Sequence, residues 1–237
     1  MKIAISQPTF LPWCGFFSLI SNVDQFVFLD QVQFDKRSWQ QRNYISVKGE
    51  KKLLTIPVKS KGKFNQFLEA VEIDYENFNY VKLMKTLDHS YSKSPDFLNL
   101  ANGIEDILKI KHKFLCDLNI DLIKYFCSIL EIKTKLIRQS EINIPHKGKE
   151  KTLSQIAIKN NATTYISTIG AKAYLKNKTL IDTNIKIYFF EYTNKRYNQI
   201  NNNSEFIPNL SIVDLIFNEG INSRSILKEN FKLIQND

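Results

Sequence analysis

Apolar and polar positions along the chain switch between two periods, and the switches outline the elements. Lys2–Ser6, with Ile3 and Ile5 around Ala4, predicts a short buried strand. Gln7–Gly15 carries Pro8, Pro12 and a glycine and predicts a shaped loop. Phe16–Val23 predicts a helix, and Gln25–Leu29, apolar from Phe26 onward, a second strand. Strand, loop, helix and strand in this short span make a βαβ unit, which implies a parallel sheet and a right-handed crossover. Lys52–Val58 predicts a third strand.

The period then becomes helical. Val81, Leu83, Met84 and Leu87 mark a helix over Tyr80–Tyr91, closed by Pro95. Phe97–Ile110 and Phe114–Leu130 repeat the pattern. Leu136–Arg138 predicts a strand, and Asn143–Lys151, with Pro145 and Gly148, an exposed loop. Alternation resumes with a helix at Leu153–Lys159, a strand at Thr164–Ser167 and a short helix at Ala171–Leu175. A strand at Ile185–Tyr192, a polar loop at Asn198–Glu205 and a last helix at Ile212–Asn218, with Gly220 as its C-cap, complete the chain. No internal repeat is visible. The pattern predicts one α/β domain over residues 1–237, with a helical insertion at 76–131.

Composition narrows the class. The chain is 43% hydrophobic with 17 Phe, which supplies a sizeable core and excludes disorder as the dominant state. Seven Gly and 6 Pro exclude a collagen-like or linker protein. Charge changes the picture less than its size suggests. Lys plus Arg is 33 against 24 Asp plus Glu, a net +9, but the arginines are only Arg37, Arg42, Arg138, Arg196 and Arg224. A chain rich in Lys, Asn and Ile together reads as codon bias toward A and T. Solvated lysines follow from that, and nucleic acid is not the expected partner. Cys14, Cys116 and Cys127 are far apart with no CxxC, which speaks against a disulfide framework or a structural zinc and fits a reducing cytoplasm. The N-terminus lacks a signal-peptide pattern, and the apolar stretch Phe10–Ile20 is broken by Pro12, Gly15 and Ser18, so no transmembrane segment is expected.

Three segments carry candidate chemistry. Gln7–Phe17 follows the first strand, where α/β sheets bind ligands, and the helix after it offers free N–H groups suited to a phosphate. Gln7, Pro8, Trp13 and Gly15 are its candidate binding residues; the alternative is that the prolines and Trp13 only pack the loop. Asp30–Asn43 concentrates Gln33, Arg37, Trp39, Arg42 and Asn43. Arginine forks suit bidentate phosphate recognition and a Trp can stack a base or sugar; the alternative is an ion-paired surface loop. Phe206–Gly220 places Ser211 three residues before Asp214, a capping-box spacing with Asp for Glu. Asp214 either serves that cap or orients an Arg or a substrate hydroxyl. Catalytic templates fit poorly. His89, beside Tyr91 at a helix end, is the candidate general base, and Asp30 the candidate carboxylate. Cys14, just before a predicted helix, is either a thiol of lowered pKa or a small buried residue. The histidines have no metal spacing.

These segments together resemble the WbqC-like family of bacterial proteins. The resemblance rests on Gln7–Phe17, Asp24–Leu29, Asp30–Phe34, Lys36–Asn43, Leu54–Val58, Tyr91–Phe97, Tyr165–Thr168 and Ser211–Gly220, in order along nearly the whole chain. Two departures stand out: Thr168 replaces the glycine of a Tyr-x-Ser-Gly segment, and Gln40 stands where the family pattern has an arginine. The resemblance implies a role with enzymes of O-antigen and other surface-polysaccharide biosynthesis, as a transferase that acylates or aminoacylates a nucleotide-linked amino sugar. It adds Tyr91 and Ser167 to the candidate site. The implied partner is a nucleotide-linked sugar or another phosphate-bearing small molecule. A non-catalytic binding module is the alternative. The stretch from Pro8 to Leu19 also looks like the start of pantothenate-synthetase-type nucleotidyltransferases, which implies a Rossmann-like layout. Both histidines of their His-x-Gly-His loop are absent: the loop here reads Trp13-Cys14-Gly15-Phe16. No cofactor and no oligomeric state follow from the sequence.

Overall fold

A computed structural model describes residues 1–144, 148–172, 184–200 and 205–235. Its frame is a six-stranded sheet. The strands are β1 (Lys2–Ser6), β2 (Gln25–Phe28), β5 (Lys135–Arg138), β6 (Thr164–Thr168), β7 (Lys186–Tyr192) and β8 (Phe231–Gln235), in the spatial order β5-β2-β1-β6-β7-β8. Every pairing is parallel except the last, where β8 runs antiparallel to β7. The fold is a Rossmann-like α/β fold.

Strand alternation explains how the sheet is covered. Ile3, Ile5 and Val27 face one way and pack with Leu153, Ile156 and Ala157 of α5 (Lys149–Lys159). Ala4, Phe26 and Phe28 face the other way. They join a larger core with α1 (Cys14–Ser21), α2 (Tyr80–Tyr91), α3 (Phe97–Lys109), α4 (Leu115–Ile129) and α6 (Ile212–Glu219). Both faces of β1 and β2 are therefore buried, which is why these strands read as continuous apolar runs.

The elements predicted over Tyr80–Tyr91, Phe97–Ile110 and Phe114–Leu130 form as helices within a residue or so of those bounds. Three elements depart from the expectation. The strand expected at Lys52–Val58 is β4 (Glu50–Thr55), which pairs outside the main sheet with β3 (Arg42–Val47) in an antiparallel hairpin. Its turn uses Lys48 and Gly49 at φ 51 and 80, the left-handed pair that two-residue hairpins require. Helix α5 starts at Lys149, inside the expected loop Asn143–Lys151. Ile212–Glu219 is not the last helix: α7 (Ser223–Glu229) and β8 follow it. Residues 172–175 of the short helix expected at Ala171–Leu175 lie largely outside the described residues, as does part of the polar loop Asn198–Glu205.

The order of strands locates a site. From β1 the chain winds to β2 on one side, and β6 lies on the other. Loops leaving two neighbouring strands in opposite directions open a crevice at their carboxyl ends, the usual ligand position in such sheets.

Candidate functional site

A cleft of about 950 Å³ occupies that crevice. Ser6 and Gln7 come from the end of β1, Leu29 from the end of β2, and Ser167 and Thr168 from β6. Gly148, Thr152 and Leu153 come from the start of α5. The outer wall is residues 32–35 and 38–40 together with Asn65 and Phe67. Its polar surface is mostly amide and hydroxyl. Among the described lining residues Asp35 alone is charged, and its carboxylate has no hydrogen-bond or ion-pair partner among the described residues. Trp39 is 52% exposed at the rim and Phe67 46%. The Trp39 indole rests edge-on against Tyr44, with ring centres 5.8 Å apart.

Helix α5 starts at the cleft with Gly148 at φ 86, and Gly148 gives it no side-chain cap. Glu150 places a carboxyl in the same turn. Tyr165 is buried below, its hydroxyl donating to Ser167 Oγ at 3.3 Å.

Gln7, Gln33, Trp39 and Ser167 of the sequence-derived candidates line this cleft together. The others do not. Trp13, Gly15, Asn43, Tyr91 and Asp214 belong to a second assembly, built where the first and third motifs meet. Trp13 bridges Ser211, Ile212 N–H donates to Pro12 O at 2.8 Å, and Ser211 N–H donates to Tyr44 O at 2.8 Å. Asn43 Nδ2 donates to Leu11 O at 2.7 Å and to Phe10 O at 3.3 Å, fixing the proline loop on β3.

At its centre Asp214 is fully buried. It accepts from the hydroxyls of Tyr91 and Tyr197, each at 2.7 Å, and from Gln199 Nε2 at 2.8 Å. Tyr91 in turn accepts Ser46 N–H at 3.0 Å. Burial outweighs the three donors and raises the Asp214 carboxyl above the ordinary carboxylate value. Burial and the nearby carboxylate drive Tyr91 and Tyr197 well up, so both hydroxyls stay protonated donors. Ser211 does cap α6, through Val213 N–H at 3.4 Å. The reciprocal half of a capping box is missing, because Ser211 N–H is already given to Tyr44 and Asp214 points at the tyrosines.

Gly15 lies under the Trp13 ring: a β-carbon there would stand 2.3 Å from the indole. Gly15→Ala should therefore displace Trp13 from its edge-on contact with Tyr192 and destabilise the fold by about 1–3 kcal/mol. Unchanged melting would show that the ring is free to move.

Pro8 is buried, with its carbonyl accepting from Asn119 at 3.2 Å. Asp30 is fully buried and accepts from Ser140 through both N–H and Oγ–H, at 3.1 and 2.6 Å, clipping the ends of β2 and β5 together. His89 stands exposed on α2, apart from the cleft lining. Arg42 is half-buried on β3 and also outside the lining. Arg37 is exposed at φ 64, between Asp35 and Ser38 of the cleft wall. All three cysteines are buried free thiols. Burial pushes Cys14 far up, so of its two alternatives the small buried residue holds and the lowered pKa does not, and burial raises Cys116 and Cys127 to about 12. Among the described residues no group of His, Cys, Asp or Glu is arranged to hold a metal, and no helix is long and apolar enough to cross a membrane.

Sequence reasoning missed Asp35, Gln40 and Phe67 as cleft residues. Asp35 and Gln40 lie inside a segment it had marked, but only the turn at Arg37 shows which side chains face inward. Asn119, on α4, carried no signal beyond being a polar residue in an apolar stripe.

The profile of the WbqC-like protein family matches residues 7–226. The uncharacterized protein Rv1507c of Mycobacterium tuberculosis is 32% identical over 229 residues, covering 96% of this chain and 97% of that protein. No solved structure matches.

Proposed function

Since the chain belongs to the WbqC-like protein family, we propose that it binds a nucleotide-linked sugar in the cleft at the β1–β6 switch point and transfers an acyl or aminoacyl group to that sugar's amine. One observation carries the reading: a wall of amides and hydroxyls beneath exposed aromatic edges, opening where α/β sheets hold ligands. Sugar hydroxyls both donate and accept, so neutral amides and hydroxyls suit them. A planar base or the apolar face of a sugar suits Trp39 and Phe67. The N-terminal turn of α5 offers its N–H dipoles to phosphoryl oxygens, and Arg37 stands beside the wall to add charge. In this reading Asp35, which lines the cleft, takes the proton from an attacking amine in preference to Asp30 and His89, which do not line it.

The test is calorimetry against a panel of UDP-, dTDP-, GDP- and CMP-linked sugars, followed by a search for acylated product. Trp39→Ala should weaken the tightest ligand by about 1–3 kcal/mol, the usual contribution of aromatic stacking on a base. Absence of binding across the panel sinks the reading. A second reading, a binding module without turnover, is favoured by the lining itself: apart from Asp35 its described residues are neutral amides, hydroxyls and apolar side chains. Saturable binding with no product from any acyl donor would decide for it.

A further inference from the structure

The amides around the cleft can be oriented by elimination. Asp35 N–H can only donate, and it donates to Gln40 Oε1 at 2.9 Å. That fixes Gln40 with its Nε2 on the other side, where it donates to Gln7 Oε1 at 2.8 Å. The carbonyl end of Gln7 is thereby occupied. Its Nε2 is left without a partner among the described residues, on a half-buried side chain in the cleft lining.

Gln40 is held firmly enough to impose this order. It is 2% exposed, its N–H donates to Ser38 Oγ at 3.3 Å, and its carbonyl accepts from Asn119 Nδ2 at 2.7 Å. Asn119, fully buried on α4, also binds Pro8 O, the residue after Gln7. A free glutamine would offer either end of its amide to a ligand. This one is wired to offer donors.

We propose that Gln7 reads an acceptor oxygen of the ligand, phosphoryl or carbonyl, through its amide N–H pair, and that Gln40 is a positioning residue acting only through Gln7. The proposal rests on the nucleotide-sugar reading for the identity of the ligand. It assigns the donor to one atom, and it explains why a glutamine in the outer wall is buried rather than turned to the ligand. A phosphoryl oxygen would be held against the pair in the ground state. A carbonyl oxygen of the base would accept from the same pair as a neutral, weaker acceptor.

The experiment is a double-mutant cycle in calorimetry, using the tightest nucleotide sugar of the panel together with its nucleotide and its nucleoside alone. Gln7→Ala should weaken the nucleotide sugar about tenfold. Gln40→Glu keeps the acceptor for Asp35 N–H but cannot donate to Gln7. Gln7 should then turn its carbonyl to the cleft, with a similar loss. In the Gln7→Ala background Gln40→Glu should add nothing. A loss that persists there is a charge effect and overturns the positioning role. If Gln40→Glu does not fold, Gln7→Glu at the half-buried position decides alone: it preserves the bond from Gln40 and replaces the donors with an anion, so binding should fall more than tenfold. A parallel loss with the nucleotide but not with its nucleoside identifies the phosphoryl oxygen; a loss with the nucleoside as well identifies a carbonyl of the base. Binding of the nucleotide sugar that neither Gln7 variant weakens overturns this inference and leaves the nucleotide-sugar reading standing. Absence of binding by every member of the panel overturns both.

Discussion

Replacing Asp214 with alanine should lower stability by about 3 kcal/mol or more, while ligand affinity of the folded protein stays unchanged. The carboxylate is the common acceptor for Tyr91, Tyr197 and Gln199. Removing it leaves three donors without their acceptor in a region closed to water, and each buried unsatisfied group costs about 1–3 kcal/mol. For a chain of this length the melting temperature should fall by roughly 6–12 °C. Asp214→Asn should fall between, since one amide end presents a donor to groups that are themselves donors. The same carboxyl has a pH signature. Its folded-state pKa is raised above the ordinary 3.8, so the folded protein holds this proton more tightly than the unfolded chain does. Its contribution is fully present below about pH 3.8 and is lost as pH rises through the raised folded value. Stability measured relative to Asp214→Asn should therefore decline with rising pH across that window. Near-normal melting of Asp214→Ala, or a relative stability that climbs with pH there, would remove the hub role.

The split between this hub and the cleft also shows what a sequence can carry. Both assemblies are written in the same motifs: Gln7 and Trp13 lie in one, Trp39 and Asn43 in another. Adjacent residues diverge because a proline loop and a left-handed turn at Arg37 send them to opposite sides of the wall. Periodicity found the helices over Tyr80–Tyr91 and Phe97–Ile110, because a long amphipathic stripe has one way to bury itself. It missed β3, whose Arg42–Val47 run alternates weakly and is fixed by pairing with β4. It missed β8 as well, an edge strand held by β7 alone, whose short run Phe231–Gln235 carries two polar residues. The three-way acceptor at Asp214 was not legible at all. Its spacing from Ser211 fits a cap, and the tyrosines that claim it lie 123 and 17 residues away.

Asn119→Ala should damage both the fold and the cleft, and this joint effect separates it from Asp214→Ala. Asn119 is 0% exposed on α4, and its Nδ2 donates to Pro8 O at 3.2 Å and to Gln40 O at 2.7 Å. Truncation leaves two buried carbonyls short of a donor and opens a small void, for a loss of about 2–4 kcal/mol. Those carbonyls belong to the loop that carries Gln7 and to the residue that orients it. Slack at either point lets the Gln7 amide rotate, so affinity in the folded fraction should drop about as far as it does in Gln40→Glu. Asn119→Asp tests the cause. It keeps the volume but turns an acceptor, and a charge, toward two carbonyl oxygens, so it should be no milder than alanine. Chemical denaturation with an unchanged slope, run beside calorimetry on the same preparations, measures both effects. Loss of stability with intact affinity would show that the loop holds Gln7 without Asn119, and the path from α4 through Gln40 to the cleft would be refuted.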